Sequence, residues 1–146
     1  MKADHYTKIE FLSSSSNEGF ARGAAACFAA RMDPTLDELN DIKTAVSEAV
    51  TNAIIHGYPD RLGRIVMKLC IKEQEILEIT VRDWGVGIPD IEKAREPMYT
   101  TGNEERSGMG FTIMESFMDT LRVRSSPQKG TTVIMKKRIV RRGGGL

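Results

Sequence analysis

Between residues 42 and 54 the apolar side chains return every three or four positions: Ile42, Ala45, Val46, Ala49, Val50, Ala53 and Ile54. That period predicts a helix with one buried stripe. Thr35 and Glu38 form a capping box that opens it. Gly57, with Pro59 just beyond, predicts its end as a left-handed cap. Upstream, Thr7, Ile9 and Phe11 alternate with Lys8 and Glu10, the period of a strand. The serine run 13–16 reads as a turn into a second helix, with Ser15 and Glu18 spaced as a capping box. Phe20, Ala24, Cys27 and Phe28 would be its apolar face, leaving Arg22 and Arg31 toward the polar side. Asp33-Pro34 stops it, because the residue before proline is pushed out of the helical region.

Downstream, Ile65, Met67, Leu69 and Ile71 share one face, and Leu77, Ile79 and Val81 share another. The short polar connection 72–75 makes them an antiparallel hairpin. Residues 83–106 then break the pattern, apart from one or two helical turns over 90–95. A stretch this irregular inside a compact domain is usually functional. Ser107 caps a further helix with Ile113, Met114, Phe117 and Leu121 inward. The last strands are 121–124 and 131–136. Strands with one apolar and one polar face predict an antiparallel sheet covered by helices on one side, an α+β fold.

Composition narrows the class. A chain of 146 residues fits one domain, placed over 1–137, with 138–146 as a basic, glycine-rich, frayed tail. The net charge of +1 gives no electrostatic case for nucleic acid. No apolar run spans a bilayer and no signal peptide opens the chain, so a cytoplasmic location is expected. Cys27 and Cys70 form no CxxC pair and read as buried thiols; with only His5 and His56 besides, zinc is not expected.

The candidate chemistry lies on the central helix and at three glycine sites. Glu48 and Asn52 are four apart, one above the other on a flank of the apolar stripe. A carboxylate can take a proton and an amide oxygen can ligate a hard cation. The glycine sites are Asp83-x-Gly85-x-Gly87, Gly108-x-Gly110 and Gly130-Thr131-Thr132. Asp83, acceptor-only, suits the exocyclic amine of adenine, with Gly85 and Gly87 allowing close approach. Gly108-Met109-Gly110 at a helix start offers backbone N–H groups to phosphate oxygens. Residues 96–106 would be a lid, with Arg106 meeting a terminal phosphate. Asn52 would hold magnesium against those phosphates, and Glu48 would face an attacking hydroxyl or water.

Glu48-x-x-x-Asn52, Asp83-x-Gly85-x-Gly87, Gly108-x-Gly110 and Gly130-Thr131-Thr132 resemble, in order, the N, G1, G2 and G3 boxes of the GHKL ATPase/kinase superfamily. Segments 47–57 and 105–115 resemble its branch of sporulation anti-sigma factors that are also serine kinases, and the match runs from the first strand to Lys137. The resemblance implies a two-layer α/β sandwich (the Bergerat fold) with a mixed, mostly antiparallel sheet. It implies ATP or ADP with Mg2+, a homodimer with residues 6–11 near its interface, sequestration of a sporulation sigma factor, and phosphorylation of an anti-anti-sigma factor on serine. No membrane or direct nucleic-acid partner is implied. By the same resemblance Glu48 is the general base, Asn52 the magnesium ligand and Asp83 the adenine partner. Thr132 supports the base pocket, and Arg22 contacts protein partners. Ile88, Thr100, Thr101, Ser107 and Met109 complete the nucleotide site. Trp84 departs from the pattern, standing where an acidic residue is expected, with its ring on the pocket rim.

Three other readings compete. A histidine-kinase catalytic fragment shares the boxes, but neither His5 nor His56 sits in a plausible phosphoacceptor helix. An ATP-hydrolysing clamp module would need further domains. A nucleotide-dependent binding module would have no use for Glu48.

Overall fold

The strands β1 (Ala3–Leu12), β2 (Arg64–Lys72), β3 (Ile76–Asp83), β4 (Thr120–Ser126) and β5 (Gly130–Arg138) form one sheet in the order β1-β2-β3-β5-β4. The structure is a computed structural model that describes residues 3–95 and 110–140. Among these residues every neighbouring pair is antiparallel, so the mixed sheet implied by the resemblance is not found. Four helices accompany the sheet among the described residues: α1 (Asn17–Ala29), α2 (Leu36–Asn52), α3 (Ile91–Ala94) and α4 (Gly110–Phe117).

The core follows the two periods. On the sheet, Ile65, Met67, Leu69, Leu77, Ile79 and Met135 are fully buried; on α2, Ile42, Val46 and Val50 are too. Burying each such side chain contributes about 1.5–3 kcal/mol. The Thr35–Glu38 capping box is present in both directions, Glu38 N–H to Thr35 Oγ1 at 3.1 Å and Thr35 N–H to Glu38 Oε1 at 2.8 Å.

α1 departs from expectation in register and start. Ala21, Ala25, Phe28 and Ala29 are its buried face, while Phe20 is 59% exposed and Cys27 lies on the surface. Small alanines let α1 approach α2 closely, and that outweighs the size of Phe20. Of the two thiols, only Cys70 is buried. Ser16, not Ser15, precedes the first helical residue, and it makes no side-chain cap. The Glu18 carboxylate instead takes a hydrogen bond from Ser47 Oγ on α2 and pairs with Arg22 at 3.4 Å. A tertiary contact has displaced the local capping box.

Gly57 is not a left-handed cap. The chain leaves α2 through a π-helical turn, Ala53–Gly57, and the positive-φ glycines among the described residues are Gly87 and Gly130. In α4 the buried positions are Phe111 and Met114, with Met118 just beyond; Ile113, Phe117 and Leu121 are only partly buried. Packing also passes Lys137: Ile139 is buried, and its N–H donates to Glu75 O at 2.8 Å.

Candidate functional site

A cavity of about 390 Å³ opens between the end of α2, the π-turn, the end of β3 and the start of α4. Its size lies within the range of small-molecule sites. Asn52, Asp83, Gly87, Ile88, Gly110 and Thr131 line it, which brings together residues from all four sequence boxes.

Asp83 closes β3 opposite Thr131, the register that antiparallel pairing sets. The carboxylate is 4% exposed. Its Oδ1 accepts hydrogen bonds from Gly85 N–H at 2.9 Å and Thr131 N–H at 3.3 Å. Those bonds fix the carboxylate plane and leave Oδ2 for a donor from the cavity. Burial raises its pKa above the ordinary carboxylate value, while the N–H groups of Gly85 and Thr131 pull it down.

Thr132 requires a correction. It pairs with Arg82 and Arg124, and strand alternation puts its side chain on the sheet face away from the cavity. Thr131 and Val133 line the cavity instead. Parity alone could have found this, because Val133 and Met135 both face the core and position 131 shares their side.

The glycines after Asp83 also admit close packing of the protein's own backbone. A Cβ on Gly85 would lie 1.8 Å from Gly57 O, and one on Gly87, whose φ is +78°, would lie 2.2 Å from Ser126 O. What approaches them is protein backbone. Val86 N–H donates to Gly57 O at 2.9 Å, Gln128 N–H to Val86 O at 2.7 Å, and Ile88 N–H to Ser125 Oγ at 2.7 Å. Trp84 turns away from the cavity. Its ring packs against the guanidinium groups of Arg64, 3.8 Å from the centroid, and Arg82, at 4.6 Å.

Asn52 and Gly110 meet at the other end. A Cβ on Gly110 would be 3.0 Å from Asn52 Nδ2, so the glycine lets the start of α4 reach the amide. Glu48 sits one turn before Asn52, partly buried and outside the cavity lining. Among the described residues no cluster of His, Cys, Asp and Glu could hold a metal alone. A lone amide oxygen fits magnesium carried mainly by substrate phosphates. Arg22 lies on α1, partly exposed and paired with Glu18. Thr100, Thr101, Arg106, Ser107, Gly108 and Met109, with the lid, lie outside the described residues. His56 and Phe111 also line the cavity, which the sequence pattern alone did not signal. No helix among the described residues is long and apolar enough to cross a membrane.

Comparison with known proteins places this geometry. The model of the histidine kinase-like ATPase domain family matches residues 15–137. The anti-sigma F factor of Clostridium perfringens is 57% identical over 138 residues, 93% of this chain and 98% of that protein. That of Geobacillus stearothermophilus is 59% identical over 130 residues, 88% of this chain and 89% of that protein. Among solved structures, the RsbU and RsbW domains of a Mycobacterium tuberculosis protein superpose with a TM-score of 0.66 at 19% identity, covering 92% of this chain and 32% of that one. A mycobacterial sensor histidine kinase gives a TM-score of 0.60 at 16% identity, covering 94% of this chain and all of that one. These two likenesses concern the fold alone. With a matching domain model over most of its length and relatives well above half identical, the chain belongs to the anti-sigma F factor family of histidine kinase-like ATPase domains.

Proposed function

We propose that this chain is an ATP-dependent protein serine kinase of the bacterial cytoplasm that also binds and inhibits a sporulation sigma factor. The observation that carries the nucleotide half is Asp83, buried at the cavity end with Oδ1 committed to two backbone N–H groups and Oδ2 left to accept from a purine amine. The protein partners are proposed from the relatives' names and the family resemblance: a sigma factor that is sequestered, and an anti-anti-sigma factor that is phosphorylated on serine.

The roles follow from position. Asp83 selects the base, and Ile88, Val81 and Val133 give the flat ring apolar walls. Asn52 offers its amide oxygen to magnesium, which neutralises phosphate charge when bound. Gly108, Met109 and Gly110 supply N–H groups to the phosphates, with Thr100, Thr101, Arg106 and Ser107 completing that end of the site. The substrate serine Oγ attacks the γ-phosphorus, the bond to the β–γ bridging oxygen breaks, and ADP leaves. Glu48 takes the serine proton. Arg22 contacts the protein partners, and two copies of the chain form the working unit.

The test is incubation with labelled ATP, magnesium and each candidate partner, followed by mapping of the modified residue. Label on a serine of the anti-anti-sigma partner is the expected result. Label on histidine, or phosphate release with no labelled protein, would replace the serine-kinase reading with a histidine kinase or an ATPase. Sigma binding is read separately, by co-elution with and without ADP or ATP.

A further inference from the structure

Tyr58 follows the π-turn directly and does not line the cavity. It is 5% exposed, and its hydroxyl joins two backbone groups. It donates to Arg64 O at 2.6 Å and accepts from Trp84 N–H at 2.7 Å. The connection to β2 wraps its ring so closely that a Cβ on Gly63 would lie 2.2 Å from Tyr58 Cε1.

The Trp84 bond matters because of where it falls. Trp84 is the residue between Asp83 and Gly85. Each N–H of this turn has its own acceptor: Trp84 on Tyr58 Oη, Gly85 on Asp83 Oδ1, and Val86 on Gly57 O. Two of those acceptors belong to consecutive residues at the end of the π-turn. The segment that carries Asn52 into the cavity therefore also grips the turn that aims Asp83.

We propose that Tyr58 is a positioning residue for base recognition: its hydroxyl holds the Trp84 backbone, and with it the Asp83 carboxylate, where Oδ2 can meet a purine amine. This rests on the reading of Asp83 as the base partner. Tyr58 touches no ligand in this scheme and acts through the turn. A buried N–H left without an acceptor destabilises the conformation that buries it, so the turn should relax when the hydroxyl is removed.

The test compares the wild-type protein and Tyr58→Phe as binders of MgADP and of magnesium pyrophosphate. Pyrophosphate can use the phosphate end of the site but has no base. Titrations can be followed by the emission of Trp84, the chain's one tryptophan. Amide exchange at Trp84 is measured on the same samples. The expected result is a fall of about tenfold in ADP affinity, unchanged pyrophosphate affinity, and faster exchange at Trp84 in the variant. Unchanged ADP affinity or unchanged exchange would overturn the role of Tyr58. An equal loss for both ligands would overturn it too, because that pattern marks general damage rather than base positioning. Wild-type protein that shows no preference for ADP over pyrophosphate would overturn the base-pocket reading itself, whereas a wild-type preference that Tyr58→Phe keeps would sink Tyr58 alone.

Discussion

Asn52 and Gly110 come from motifs far apart in the chain, yet a methyl group on Gly110 would lie 3.0 Å from the Asn52 amide nitrogen. The end of α2 and the start of α4 therefore form one wall of the cavity. Replacing Asn52 by alanine should remove the magnesium-dependent part of nucleotide binding, about a tenfold loss of ADP affinity in excess magnesium and little change in EDTA. Calorimetry under both conditions checks this; equal affinity of variant and wild type in magnesium would remove Asn52 from the metal.

Glu48, the proposed general base, stands one turn before Asn52, partly buried and off the cavity lining. Glu48→Gln should lower phosphotransfer to the partner serine by at least about a hundredfold, the usual scale for a general base. ADP affinity should stay within about twofold, since no ligand contact is lost. Single-turnover transfer of labelled phosphate is the measurement, and transfer at the wild-type rate would exclude the role.

Asp83 should give the protein two opposite pH dependences. Burial raises its pKa, so the native state holds the proton to higher pH than the unfolded chain does. Between the ordinary carboxylate value and the raised one the native state binds more protons. The stability contribution is thus full below that window and is lost as pH rises through it. Base binding needs the carboxylate, so ADP affinity should fall as pH drops through the raised value. Thermal melts and ADP titrations from about pH 3 to 7 would show both trends, and Asp83→Asn should abolish them. That variant presents an amide N–H₂ where Oδ2 was and should favour a 6-oxo purine over adenine. Undiminished ADP preference in Asp83→Asn would refute base readout by this group.

Gly85 and Gly23 make a matched contrast. A Cβ at Gly85 meets Gly57 O at 1.8 Å, whereas one at Gly23, on the outer face of α1, meets nothing within 4 Å. Gly85→Ala should cost about 2–3 kcal/mol through overpacking and abolish nucleotide binding with it. Gly23→Ala should stabilise by about 0.5–1 kcal/mol through helix propensity. Denaturant midpoints give both signs directly.

Arg22 carries the partner surface on this reading. It is paired with Glu18, and Glu18 is held by Ser47, the neighbour of Glu48. Arg22→Glu puts two carboxylates side by side on an exposed helix face. Nucleotide affinity should be unchanged, while sigma-factor retention in a pull-down should drop at least about tenfold. Full retention would move the partner surface elsewhere.

The sequence by itself determined the elements and most of the core, because hydrophobic period is a local property: the α2 stripe from Ile42 to Val50, the β2–β3 hairpin and the Thr35–Glu38 cap stand as read, while Ile54, in the π-turn, is only partly buried. The family boxes likewise mark Asn52, Asp83 and Gly110, and these meet at one cavity. What only the tertiary structure decided were the choices made between elements. Strand parity already put position 131 on the core side with Val133 and Met135, but only pairing with β3 set Thr131 beside Asp83 at the cavity. Close helix packing buried the small alanines of α1 and left Phe20 in solvent. Ser47 won Glu18 from the local cap, and backbone contact with Gly85 and Val86 gave Gly57 a use that no turn rule describes. Tyr58 carries no motif signature at all. Its hydroxyl matters only because folding brings Trp84 N–H and Arg64 O to the same point, and that convergence exists in three dimensions alone.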